Sequence, residues 1–360
     1  MYLSDSELPK GMVYIMTNSA TENDIAAFRR NDNGTLAFRA FYATRGQGTG
    51  PIGNGVDPLI SQGSLILSRY RRFLFAVNAG SNSITSFRVM HDGGLVLASV
   101  VNSGGVKPIS ITVHRNILYV SNAGNESTGA ASNITGFRID RCGVLTMIPN
   151  STRPLSTTEA QPANILFTPS GRQIAVTERN TNKITIFAIA SNGHASLQKV
   201  NNSNGSGPFG MVFRWDDLLL VAESGSNALS TYSLDSNGNL TVISGSVPTG
   251  QLATCWVSLD KSERHAYTSN TGSRTISTFR VNRDGTLELE RNTFSTPEEE
   301  EGGAPIDNAV STNGKYFYAL NGNEGTVSAF KICSHGRLAR IQVASGEGIP
   351  QLGTQGIAVI

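Results

Sequence analysis

Charge of one sign, long apolar runs and cysteine pairs are all scarce in this chain. Lys and Arg number 29 against 27 Asp and Glu in 360 residues, so there is no electrostatic footprint for nucleic acid or an anionic membrane. No apolar run approaches the roughly 18–20 residues that span a bilayer. Residues 1–10 are polar and acidic, without the basic and apolar regions of a secretory leader. The three cysteines, Cys142, Cys255 and Cys333, are far apart and odd in number, so they form neither a metal-ligand motif nor a closed disulfide set. Five histidines are scattered, which argues against a His-based metal site and a Ser-His-Asp triad. We therefore expect no metal, no cofactor, no nucleic-acid partner and no membrane partner. Seven Asn-x-Ser/Thr sequons, at Asn33, Asn125, Asn133, Asn150, Asn201, Asn204 and Asn239, leave secreted and cytoplasmic origins both open.

Glycine is plentiful, at 38 residues, and charged residues make up only 16%. That mix favours turns and short strands over long helices. The chain repeats itself. Seven segments read apolar strand, polar turn, second strand ending in an aromatic, at Phe28, Phe87, Phe137, Phe187, Tyr232, Phe279 and Phe330. Six residues after each aromatic stands Gly34, Gly93, Gly143, Gly193, Gly238, Gly285 or Gly336. Two further on stands Leu36, Leu95, Leu145, Ala195, Leu240, Leu287 or Leu338. Asn-Gly and Asp-Gly supply the positive φ of a tight hairpin. Another apolar strand precedes each unit, which makes four strands per repeat, spaced roughly 45–60 residues apart. Such a unit cannot bury both faces alone, so copies must stack about an axis.

The reading is all-β: one seven-bladed β-propeller over residues 1–360, with four antiparallel strands per blade. A many-stranded sandwich does not explain a sevenfold repeat. The first unit lacks its innermost strand, and Gln355–Ile360 is an orphan strand of that type, so the ring should close by pairing the chain's end with its beginning. Strands within a blade are lettered A to D from the axis outward. The irregular connections, B–C and D–A, share one face, where binding is expected. There Glu178 and Glu223 end equivalent B strands, where other blades carry Asn78, Asn122, Asn270 or Asn321. Two neighbouring carboxylates raise the pKa of one of them and suit acid/base catalysis, with Arg179 as electrostatic partner. The strand-A register places Ser110, Asn164, Thr254 and Asp307 on the channel. Phe209 and Trp256 stand beside them as apolar walls.

The repeats FAVNAG, YVSNAG and YTSNTG, each followed by a hairpin ending in Gly-x-Leu, resemble the lactonase family of seven-bladed propellers, which includes the propeller-type 6-phosphogluconolactonases and the fungal 3-carboxy-cis,cis-muconate lactonizing enzymes. The resemblance covers nearly the whole chain. The run from Gly207 to Phe213, followed by Val221-Ala222-Glu223, is similar to the family's Gly-Pro-Arg-His strand and its Asn-Glu pair. Glu223 is kept, while Phe209 and Gly210 replace the Arg and His. Thr254-Cys255-Trp256 replaces an Asp-x-His strand. The resemblance implies an enzyme that hydrolyses or isomerises a lactone-type small molecule with Glu223; by the residue reading above, Glu178 and Arg179 would assist it. Phe209, Trp256, Asn164, Asp307, Ser110 and Thr254 would contact the substrate, and the chain would act as a monomer. The alternative is a non-catalytic propeller that binds a ligand or protein on its loop face. A closed, concave site favours the first and a broad flat one the second.

Overall fold

The hairpin glycines generate the architecture. In a computed structural model that describes residues 11–53, 55–196, 198–298 and 302–360, all seven adopt positive φ, from +64° at Gly336 to +90° at Gly34 and Gly285. A Cβ on Gly34 would run into the ring of Tyr316 in the adjacent blade. The residue type therefore answers two demands at once, a tight turn and close blade packing. Residues 1–10 and 299–301, which include the acidic leader and most of the Glu298–Glu301 run, lie outside the described residues.

Seven antiparallel sheets form the ring, each with an A-B-C-D strand path. Blade 3 (108–154) adds a short fifth segment at Arg153–Pro154. The other blades span 65–102 (blade 2), 162–202 (blade 4), 208–248 (blade 5), 254–294 (blade 6) and 305–344 (blade 7). Blade 1 is composite: its inner strand, Ile357–Val359, pairs with Met12–Met16 in the register Val13↔Val359, Tyr14↔Ala358, Ile15↔Ile357. The expected closure is therefore observed. It leaves neither inner edge open, and backbone bonds from Met16 N–H to Gly356 O (3.2 Å) and from Ile360 N–H to Met12 O (2.8 Å) extend it at both ends.

Neighbouring blades are joined by repeated polar contacts. A strand-B tyrosine donates to the turn glycine of the next blade: Tyr14 to Gly93 O (2.7 Å), Tyr119 to Gly193 O (2.7 Å), and Tyr318 across the ring's seam to Gly34 O (2.8 Å). On the opposite face, the B–C turns hold Asn82, Asn182 and Asn227 at φ +54°, +53° and +51°. Asparagine tolerates that conformation. Each side-chain oxygen accepts the N–H of the residue entering the next blade: Lys107 (2.8 Å), Gly207 (2.7 Å) and Ala253 (2.7 Å). The tyrosine bonds tie blades 1 to 2, 3 to 4 and 7 to 1 on one face, and the asparagine bonds tie blades 2 to 3, 4 to 5 and 5 to 6 on the other.

Strand A is bulged in several blades, with register shifts at Pro108/Ser110, Pro162/Asn164, Pro208/Met211, Thr254/Trp256 and Pro305/Asn308. The bulges open backbone groups towards the axis, and the D–A connection between blades 1 and 2 fills them. Ser61, Gln62 and Gly63 cross the channel. Gln62 N–H donates to Ala163 O (2.9 Å), and Gln62 O accepts from Ser110 Oγ (2.6 Å) and Asn164 Nδ2 (2.9 Å). The Gln62 side chain reaches the far wall, where it accepts from Val257 N–H (2.9 Å) and donates to Val257 O (3.1 Å) and Met211 O (3.3 Å). The channel is thus plugged by the chain itself.

Removing Gln355–Ile360 would strip Met12–Met16 of its inner partner and expose a sheet edge. The truncated chain should lose the single cooperative thermal transition of the full protein in calorimetry, and an unchanged transition would show that the ring does not depend on this closure.

Candidate functional site

Above the plug, on the B–C/D–A face, lies a cavity of about 600 Å³ that is broadly open to solvent. Its floor and one side come from the segment that forms the plug, through Val56, Asp57 and Ile60. Blade 4 contributes Arg179, blade 5 contributes Phe209, and blade 6 contributes Cys255 and Trp256. Phe209 and Trp256 meet edge to face, with ring centroids 5.1 Å apart and planes at 68°, an arrangement favoured by the aromatic quadrupoles. Trp256 is held in place by its indole N–H, which donates to Ser61 O at 2.9 Å. The plug therefore fixes the wall as well as the floor.

Three of the residues singled out in the sequence converge here: Phe209, Trp256 and Arg179. Glu178 and Glu223 do not line this cavity. Both are fully buried inside their blades. Glu178 accepts from Ser156 N–H (3.2 Å) and Thr181 Oγ1 (3.1 Å), and from the hydroxyls of Ser156 and Thr185. Glu223 accepts from Gly205 N–H (2.8 Å), Ser230 Oγ (2.6 Å) and Ser246 Oγ (2.6 Å). The asparagines at the same position do comparable work. Asn78 donates to Ser83 and Thr85, Asn270 to Thr275 and Ser277, and Asn321 to Thr326 and Ser328, each on strand C. In blades 4 and 5 the glutamate reverses the polarity of that tie, from donor to acceptor. Each carboxyl is enclosed and met by donors of its own blade and of the D–A connection beside it.

The strand-A set is likewise redistributed. Ser110 and Asn164 spend their polar atoms on the plug, with 3.1 Å between Asn164 Nδ2 and Ser110 Oγ. Thr254 is turned between strands, donating to Asn270 Oδ1 at 2.7 Å. The bulge after it presents Cys255 to the cavity instead. Asp307 is buried at the axis with φ +64°, and its carboxyl accepts from Asn308 N–H (3.0 Å) and Ile357 N–H (3.2 Å). Burial pushes its pKa well above the usual carboxylate range against those two bonds.

The carboxylate that does face the cavity is Asp57, which the repeat could not reveal because it sits in the one connection without a counterpart. It keeps partial solvent contact through the cavity and is otherwise enclosed by protein. Burial raises its pKa to about 7, opposed by hydrogen bonds from Gln355 (2.5 Å) and the backbone of Ile60 (2.9 Å) and Ser61, and by the charge of Arg179. Arg179 hydrogen-bonds Gln161 Oε1 at 3.2 Å and makes no ion pair among the described residues. The Cys255 thiol is pushed upward, chiefly by burial and further by Asp57. It therefore stays protonated and is no nucleophile at neutral pH. The arrangement offers one proton-transfer group poised near neutrality, one guanidinium beside it, and an aromatic wall. Among the described residues no three His, Cys, Asp or Glu side chains converge as a metal site.

Two outcomes separate these roles. Glu178→Gln and Glu223→Gln each turn an amide N–H towards donors, and each should cost roughly 1–3 kcal/mol in denaturant unfolding. Asp57 and Asp307 bind a proton in the folded chain that the unfolded chain releases near pH 4. The contribution of Asp57 to stability is therefore complete below about pH 4 and is lost as pH rises through about 7, and that of Asp307 is likewise complete below about pH 4 and is lost as pH rises through its own raised pKa. Asp57→Asn should make the stability–pH curve between 4 and 7 shallower than in the wild type, leaving the Asp307 share; an unchanged slope would remove Asp57 as a raised group.

A model of the family described as lactonase, seven-bladed β-propeller, matches residues 130–257 and 248–350. Among solved structures, a protein from Lactobacillus plantarum superposes with a TM-score of 0.76 at 19% identity, over 96% of this chain and 98% of that one. A candidate 6-phosphogluconolactonase from Bacteroides fragilis superposes with 0.74 at 19%, over 99% of each. The periplasmic gluconolactonase of Pseudomonas aeruginosa superposes with 0.76 at 16%, over 96% of this chain and 99% of that one. With its sevenfold ring and a family match over more than half of its length, this chain belongs to the lactonase family of seven-bladed β-propellers.

Proposed function

We propose that the protein opens a lactone ring by hydrolysis at the mouth of the plugged channel, with Asp57 as the proton-transfer group and Arg179 as its electrophilic partner. The observation that carries this reading is a half-buried carboxylic acid with a pKa raised to about 7, sharing a solvent-open cavity with an arginine that makes no ion pair among the described residues. Groups tuned to neutrality in clefts are characteristic of acid/base sites. The names of structural neighbours, a gluconolactonase and a candidate 6-phosphogluconolactonase, point to the same class of reaction.

In the ionised form, Asp57 takes a proton from a water molecule as that water attacks the lactone carbonyl carbon. The new C–O bond leaves an oxyanion, which the Arg179 guanidinium stabilises. Collapse breaks the bond between the carbonyl carbon and the ring oxygen. The proton held by Asp57 passes to that oxygen, giving a hydroxy acid and restoring the carboxylate. One residue serves as base and then acid, which suits a pKa near the working pH. Glu223 and Glu178, the groups the family resemblance favours, would act by fixing the loops that carry Gly207, Phe209 and Arg179.

Asp57→Asn keeps the shape and removes the titration. It should lower kcat on the order of 10²–10⁴-fold and abolish the rise of kcat/KM through about pH 7 that the raised Asp57 predicts for the wild type. Glu223→Gln should retain turnover once corrected for the folded fraction. Full activity in Asp57→Asn, with loss in Glu223→Gln, would return the acid/base role to Glu223.

A further inference from the structure

On the face opposite the cavity, the A–B turns surround the other mouth of the channel, and their charge is unevenly shared. The turns of blades 2, 3 and 4 (68–72, 115–116 and 168–172) hold Arg69, Arg71, Arg72, Arg115 and Arg172 and no carboxylate. The turns of blades 5 and 6 (214–217 and 260–264) hold Asp216, Asp217, Asp260 and Glu263 beside Arg214, Lys261 and Arg264. There Arg214 closes on Asp216 at 2.7 Å. The basic half has no such pairing. Arg69, Arg72, Arg115 and Arg172 are exposed, and their guanidinium groups make no hydrogen bond or ion pair among the described residues. Arg72 lies over the Phe73 ring at 5.7 Å, and Arg71 reaches Thr312 Oγ1 at 3.4 Å.

These cations form one field. His114, half-buried at the end of strand A in blade 3, has its pKa lowered by burial and then by Arg115 and Arg69, which come from two different blades. Beside it a second cavity, of about 850 Å³, is lined by His114, Arg115 and Arg172 and, from blade 5, by Asp217 and Asp235. An aromatic stands at each end of the arc: Tyr70 on the blade 2 turn, 56% exposed, and Trp215 on the blade 5 turn, 75% exposed. Arginine, tyrosine and tryptophan are the side chains that anchor protein interfaces, and a guanidinium matches a carboxylate in a two-pronged bond. A membrane or a nucleic-acid duplex is anionic wherever it touches, so it would also press charge onto Asp217 and Glu263. A short segment can stop at that boundary. We propose that this face docks an acidic peptide segment of a partner protein, with its carboxylates over Arg69, Arg115 and Arg172 and its apolar side chains against Tyr70 and Trp215. Charge complementarity selects the partner, and the acidic turns of blades 5 and 6 set where it ends.

The probe is a fluorescein-labelled peptide of alternating Asp and Glu with a Phe at each end, read by fluorescence anisotropy against the full chain. It should bind saturably, and raising the salt to about 1 M should weaken it on the order of tenfold. Arg69→Glu combined with Arg115→Glu should weaken it on the order of tenfold or more, and Trp215→Ala roughly threefold or more. Arg69→Gln with Arg115→Gln should weaken it less than the reversal does, since it removes charge without adding repulsion. Lys261→Glu with Arg264→Glu changes the net charge equally on the blade 6 turn and should leave the affinity within about twofold. All these side chains are exposed, so each variant should keep the thermal transition of the wild type. The absence of saturable binding would overturn the proposal. So would an equal loss from the blade 6 reversal, which would mean that the peptide senses net charge and no particular face. Tighter binding of inorganic polyphosphate, or of phosphatidylserine vesicles, than of the peptide would also overturn it and give the face to a phosphate polymer or a membrane.

Discussion

The site depends on one short run of chain, Asp57 to Gly63, lying across the axis of the ring. A propeller's innermost strands converge at a channel where bulged backbone groups have no neighbour in their own sheet. Here Gln62 answers blades 4, 5 and 6 at once, with backbone bonds on one side and side-chain bonds on the other. An unmet buried amide or carbonyl costs about 1–3 kcal/mol, so a single glutamine satisfying three of them has a large effect. The same run places Asp57 over the plug, ties it to Gln355 of the closing strand and fixes the Trp256 indole through Ser61. Ring closure, channel plug and cavity floor are thus mechanically one object.

That coupling explains why the candidate acid is pre-organised. Gln355 donates to both Asp57 Oδ1 and Ser61 O, at 2.5 and 3.0 Å, and also accepts Leu59 N–H at 3.0 Å. The closing strand therefore reaches the site through one side chain placed next to its first paired residues. Enclosure raises the proton affinity of Asp57, while the donors around it and Arg179 hold the shift near 7 rather than letting the group become permanently neutral. Burial at the same axis also raises the pKa of Asp307, opposed by the N–H groups of Ile357 and Asn308 and added to by the charge of Asp57.

The ring, the hairpin glycines, the four-strand blade and the closing strand were all legible in the sequence, because each is a local rule written seven times or an end that needs its complement. The unequal faces were legible for a related reason: irregular loops interrupt the period on one face, and the 600 Å³ cavity opens there. Phe209, Trp256 and Arg179 could be found because they sit at blade-equivalent positions where an unusual residue type stands out.

The same comparison singles out Glu178 and Glu223, which the fold encloses. The hydroxyls of strand C both donate and accept, so a carboxylate here accepts from the positions to which an asparagine donates in other blades. Thr254 and Cys255 exchanged places because a bulge moves the channel-facing position by one residue, which a two-residue strand period cannot anticipate. Asp57 lies in a connection present once, so no repeat flags it. The available signal was physical: this D–A connection, between Ala43 and Leu65, is much longer than those around it, and a long segment inside a closed ring has either to leave the surface or to fill the axis. Its Asp-Pro step and its Ser-Gln-Gly run carry the polar atoms that an axis lined with bulged backbone requires.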